Sequence, residues 1–97
     1  MSVLVKSRKR AYYFEVESYV LLNCNPGHEK EIITHLKSLP EVMEVNGIWG
    51  NYDIFVKVTF ANPFDLEKII EKMRKIENIT NTISMPVLYG QGGSIDD

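Results

Sequence analysis

The chain has 97 residues, 44% of them hydrophobic and 25% charged, with a formal net charge of −2 at pH 7. Such a chain makes one domain with a small core; it is too apolar for disorder and too acidic to hold nucleic acid along its whole surface. A single cysteine, Cys24, excludes an intrachain disulfide framework and fits a reducing cytoplasm, and no apolar run approaches membrane-spanning length.

Residues 1–16 read as an N-terminal arm. They carry the basic cluster KSRKR (Lys6 to Arg10) and then an aromatic stretch that runs into ESYVLLNC at 17–24. The cluster reads first as a solvated tail, and second as an electrostatic arm for nucleic acid. The segment 17–24 is expected to be a strand. It leads into NPGHEKEIITHLKSLPEV at 25–42, which aligns without gaps on NPFDLEKIIEKMRKIENI at 62–79. Each copy opens with Asn, a good N-cap, and Pro, which suits the first helical position because its missing N–H costs nothing there. Apolar residues at 32, 33, 36 and 39, and at 66, 69, 70, 73 and 76, give each predicted helix one buried stripe.

A strand is expected after the first helix at 41–50, a second before the next helix at 53–60, and a last one at 80–90. The order β-α-β-β-α-β is two βαβ units joined at the hairpin NGIWGNYD. Right-handed crossovers then favour an α+β, ferredoxin-like sandwich of the dimeric α+β barrel type, with an antiparallel four-stranded sheet carrying both helices on one face. The other face is the difficulty. Tyr19, Leu21 and Phe55 must point away from the helices, joined on the last strand by Met85–Val87–Tyr89 or by Pro86–Leu88. Monomers rarely leave such a patch uncovered, which predicts a homodimer through the sheets, with residues 11–19 a candidate strand or arm across the interface.

Residues able to do chemistry are few. His28 and His35 lie seven apart, not at the i, i+4 spacing of a helical metal clamp. Cys24 among apolar neighbours reads as a buried structural thiol rather than a partner of His28 in a metal site. No nucleophile elbow or phosphate-binding glycine loop is present, so no catalytic residue, metal or cofactor is expected. The segment GQGGSIDD opens no helix, and 91–97 reads as a flexible tail. Asp53 is the one acid that begins a buried-looking strand. An isolated carboxylate is costly there, so it should either cap backbone N–H groups in its turn or face an ammonium group.

These residues together resemble the effector-binding (RAM) domain of the Lrp/AsnC family of regulators. The resemblance rests on the element order, on Pro26-Gly27 and LPEV around the first helix, on the turn Gly50-Asn51-Tyr52-Asp53, and on Thr82-x-Ser84. It covers about residues 17–90. It implies dimers that assemble further, often to octamers, and a small effector, usually an amino acid, bound between dimers. By position, Gly50, Asn51, Tyr52 and Asp53 would line that pocket, with Thr82 and Ser84 adding hydroxyls and Trp49 serving as wall or plug. The family's regulators carry a helix-turn-helix domain for which 16 residues leave no room, so the resemblance is to the stand-alone type. Action through protein partners, among them full-length Lrp/AsnC regulators, is then expected rather than direct DNA reading. The rival readings are a small ferredoxin-like enzyme of the monooxygenase or haem-pathway type, using Trp49, His28 or His35, and a ligand-free assembly module.

Overall fold

The computed structural model describes residues 16–93 and residue 95. The basic cluster at 6–10 and the aromatic residues 11–15 lie outside the described residues. Six elements follow in the expected order: β1 (Val16–Cys24), α1 (Glu29–Lys37), β2 (Val42–Gly47), β3 (Ile54–Phe60), α2 (Asp65–Arg74) and β4 (Ile79–Pro86). The strands form one four-stranded sheet, ordered β2-β3-β1-β4, with every neighbouring pair antiparallel. The two central strands are therefore the ones that open each half of the repeat. β2 and β4 are the edges.

Alternation along the central strands decides the faces, because successive side chains point to opposite sides. In β1 the even residues Ser18, Val20, Leu22 and Cys24 are buried, and in β3 so are Ile54, Val56, Val58 and Phe60. The helices lie on that side, α1 over β2 and α2 over β4. Ile32 and Leu36 from α1, with Ile69, Ile70 and Met73 from α2, close the core, and Ile33, Leu39 and Leu66 pack at its margin. Each fully buried aliphatic side chain contributes about 1.5–3 kcal/mol of transfer free energy, and most of that offsets chain entropy.

Several boundaries differ from the sequence reading: β2 ends at Gly47 rather than at 50, and both helices and β4 also shift. α1 begins at Glu29, not at Pro26, because Gly27 adopts φ +88, which a right-handed helix cannot contain. Asn25-Pro26-Gly27-His28 instead closes a turn, with His28 N–H donating to the Asn25 carbonyl at 3.4 Å. Pro followed by a positive-φ Gly is the pattern of a type II turn. In the second copy Phe64 replaces Gly27, and α2 begins at Asp65, with Asn62 holding the turn that precedes it. Its Oδ1 accepts from Phe64 N–H at 2.9 Å while its carbonyl accepts from Asp65 N–H at 2.8 Å. β4 stops at Pro86 rather than at 90. Proline has no N–H for the ladder and sits well only at the margin of an edge strand.

Candidate functional site

The β2–β3 hairpin, residues 48–53, stands at the end of the sheet. Gly50 takes φ +123, a conformation open to glycine, and Ile48 N–H donates to the Asp53 carbonyl at 3.0 Å to close the loop. Asp53 ties this loop to the neighbouring strand. Its own N–H donates to the Leu22 carbonyl at 2.9 Å, and its Oδ2 accepts from Cys24 N–H at 2.9 Å. The β1–β3 ladder ends at the pair Leu22 and Ile54, so Cys24 N–H lies beyond it and the carboxylate takes the place of a strand partner. The cap expected of Asp53 is present, but its donor is on β1 rather than within its own turn.

A polar row runs across the sheet from this point. Asn23 Nδ2 donates to the Asn51 carbonyl at 2.9 Å and lies 3.4 Å from Asp53 Oδ2, while Asn81 Nδ2 donates to Asn23 Oδ1 at 3.3 Å. Asn23 and Asn81 are partners in register. The sequence reading missed both. A polar residue at an odd position of β1, where Tyr19 and Leu21 are apolar, was the available signal. Beside the row, the β1–β4 register shifts: Asn81 pairs with Asn23 but Ile79 pairs with Cys24, so Thr80 is an extra residue in β4. Such bulges bend a strand and re-aim its side chains.

Thr82 and Ser84 sit on β4, opposite Leu22 and Val20. Thr82 thus shares a cross-sheet row with Leu22 and Ile54, about 10 Å from Ile54 at two strand spacings. Gly50–Asp53 and Thr82 are brought to one end of the sheet, and Ser84 lies one pair further in. They do not meet in one cavity of the chain. Thr82 is engaged instead by α2, whose Arg74 donates from Nε to Thr82 Oγ1 at 3.0 Å. A small cavity of about 200 Å³ opens there, lined by Arg74, Ile79, Thr80, Asn81 and Thr82. A larger one, of about 740 Å³, lies at the opposite end of the sheet, among Val16, Ala61, Pro63, Val87, Leu88 and Tyr89. It holds none of the expected site residues, so its size does not decide the matter.

Trp49 is fully exposed, and Tyr52 is half-buried. On the open face, Tyr19 and Phe55 rings lie 5.5 Å apart at 30°. Leu21 pairs with Phe55 on one side and Ile83 on the other, and Tyr19 with Met85, so Met85 belongs to this face together with Ile83, which the sequence reading did not name. Lys57 and Glu17 rim it at 3.6 Å.

Burial, and then the nearby carboxylates of Asp53 and Glu29, push the Cys24 thiol above its usual pKa, which favours the neutral, poorly ligating form. Among the described residues, no three His, Cys, Asp or Glu side chains gather as metal ligands. His28 Nδ1 faces Glu31 and Asn78 and is half-buried, while His35 is exposed.

Fold and site thus define a small α+β module with an ordered polar turn and a sheet face that no other described element covers. Residues 17–89 match the family model described as the Lrp/AsnC ligand binding domain, and the chain belongs to that family. It is 33% identical over 70 residues, 71% of its length, to an uncharacterized helix-turn-helix transcriptional regulator of Pyrococcus abyssi, of which the match covers 44%. A homocitrate synthase of Sulfurisphaera tokodaii is 34% identical over 74 residues, 75% of the chain, in a match confined to 16% of that enzyme. Among solved structures, a hypothetical protein of Pyrococcus horikoshii superimposes with a TM-score of 0.70 at 35% identity, covering 75% of this chain and 89% of that one. Escherichia coli AsnC gives 0.73 at 26%, covering 84% and 57%. The chain spans about half the length of the curated regulators it matches. The regulators among these relatives are helix-turn-helix transcription regulators, and the one enzyme, the homocitrate synthase, is matched over a small part of its length.

Proposed function

We propose that the chain is a small-molecule sensing and oligomerisation module whose effector is an amino acid or a close relative, and that it modulates transcription through protein partners. The observation that carries the reading is the Asp53-centred array. A carboxylate, two asparagine side chains and a glycine turn are held rigidly at a sheet end, beside an exposed Trp49. A carboxylate suits an α-ammonium group, and backbone amides in a glycine turn suit a carboxylate. With Trp49 in solvent and Thr82 about 10 Å away across the sheet, the site is completed by a second subunit rather than within one chain.

The open sheet face supports the assembly half of the proposal. Tyr19, Leu21, Phe55, Ile83 and Met85 form a patch that a second copy would cover, sheet against sheet, giving a dimer on which octamers or similar rings are built. Both helices spend their apolar stripes on the sheet, so neither is available as a groove-reading helix over the matched residues. Partners would therefore be other copies and full-length regulators of the family. Among the described residues no helix is long and apolar enough to cross a membrane.

Trp49 is the chain's one tryptophan, so its fluorescence reports directly on this end of the molecule. Titrating L-amino acids into the oligomer should shift its emission to the blue and raise the melting temperature. An oligomer that shows neither response to any amino acid at millimolar concentration refutes the sensing role and leaves a ligand-free assembly module.

A further inference from the structure

We infer that the chain's own residues 12–14 dock, through the rings of Tyr12 and Phe14, in the apolar cavity at the sheet end opposite the Asp53 turn. That cavity, of about 740 Å³, lies where β1 would run if it were continued towards the N-terminus. Val16, the first residue of β1, forms one wall. Ala61 and Pro63, which follow the end of β3, form a second, and Val87 and Leu88, which follow the end of β4, form a third. β3 accompanies β1 as far as the pair Val16 and Phe60. On the other side, Val87 N–H donates to the Glu17 carbonyl at 2.9 Å. Past those points neither neighbour continues as a strand, and the cavity opens between them.

The position and sequence of residues 1–15 single them out as the occupant. Their last residue is bonded directly to Val16, so the aromatic stretch Tyr12-Tyr13-Phe14 begins at the cavity mouth. Val16 packs against the core, as do Val20 and Leu22, and the same period of two carried backwards assigns Phe14 and Tyr12 to that side. At about 3.3 Å per residue they fall about 7 and 13 Å from Val16. Each such ring buries about 150–250 Å². The cavity lies within the range of about 300–1,000 Å³ that holds drug-sized molecules, and so has room for both. Glu17 is the one charged residue among its described walls, and Gly90, Gly92 and Gly93 present bare backbone, which leaves width for a flat ring. Leu88 is 67% exposed, an apolar side chain that a ring would cover. A direct tether holds the segment at an effective concentration of about millimolar, which favours it over a second copy or a free peptide. The sheet face of Tyr19, Leu21 and Phe55 then stays open for another subunit.

The test is calorimetric melting of the full chain, at one protein concentration, for Phe14→Ala, Leu88→Ala and the double variant. With the cavity open, Leu88→Ala at so exposed a position should leave the melting temperature unchanged. With the segment docked, each single variant should lower it by about 4–8 °C. The double variant should then fall little further than the larger single, because both remove the same contact. Phe14→Ala combined with Leu21→Ala, on the open sheet face, should instead be additive. Additivity between Phe14 and Leu88, or coupling between Phe14 and Leu21, overturns the docking. A second measurement separates the chain's own cavity from a partner's: Phe14→Cys with Leu88→Cys in a Cys24→Ala background, oxidised under native conditions. The expected product is a monomer on denaturing electrophoresis with no free thiol. A covalent dimer places the segment in the cavity of another copy and overturns the assignment to its own chain.

Discussion

Asp53 has a structural duty that precedes any ligand, and its size can be worked out. In Asp53→Ala the Cys24 N–H loses its acceptor at 2.9 Å and Asn23 loses its contact at 3.4 Å. A hydrogen bond to a charged group contributes about 1.5–3 kcal/mol. Asp53 is half-buried, so water can replace part of this, and about 1–2 kcal/mol is the expected loss. For a domain of this length each kcal/mol moves the melting temperature by about 4–8 °C, which puts the Asp53→Ala shift at roughly 5–15 °C. Asp53→Asn retains an oxygen for Cys24 N–H and should recover most of that stability. The pair separates cap from site: calorimetric melting without ligand reports the cap, and amino-acid titration of Asp53→Asn reports the charge. An Asp53→Ala protein that melts within 2 °C of wild type, roughly the shift that half a kcal/mol produces, would refute the cap. Full amino-acid affinity in Asp53→Asn would refute the ammonium role.

The remaining predictions concern the sheet face, the first turn and the buried thiol. Phe55→Asp places an unpaired charge at the centre of the open face, away from the core, and should weaken dimerisation by about 4 kcal/mol, roughly a thousandfold, in sedimentation equilibrium; an unchanged dimer would show that the copies meet elsewhere. Gly27→Ala meets no atom within 4 Å, so its expected cost of about 1–2 kcal/mol comes from φ +88 alone and is read by denaturant melting. The Cys24 thiol has a raised pKa in the folded state, so the unfolded chain loses its proton first as pH rises. Stability should be flat below the ordinary thiol pKa and fall as pH climbs through it towards the folded value, and Cys24→Ala should remove that alkaline slope.

Much of the fold was legible because it rests on repetition. The gapless alignment of 25–42 on 62–79 exposes two βαβ halves, and the alternation of Ile54, Val56, Val58 and Phe60 assigns a face without reference to the rest of the chain. Helix starts were harder. Asn25-Pro26 and Asn62-Pro63 look like helix starts, yet a turn precedes each helix, which begins at Glu29 and at Asp65. The Gly50–Asp53 turn was visible as a motif, and Asp53 as an acid in need of a donor.

What only the tertiary structure decided was which groups meet. Cys24, twenty-nine residues from Asp53 in sequence, supplies its donor, and that pairing exists because the strand order places β1 beside β3. Asn23 and Asn81 become one polar row through the same ordering, and Arg74 reaches Thr82 only because α2 lies over the edge strand. Local sequence determines element type through periodicity, which acts over a few residues. Site chemistry depends on register and crossover between distant segments, and the pattern within any one segment does not contain them.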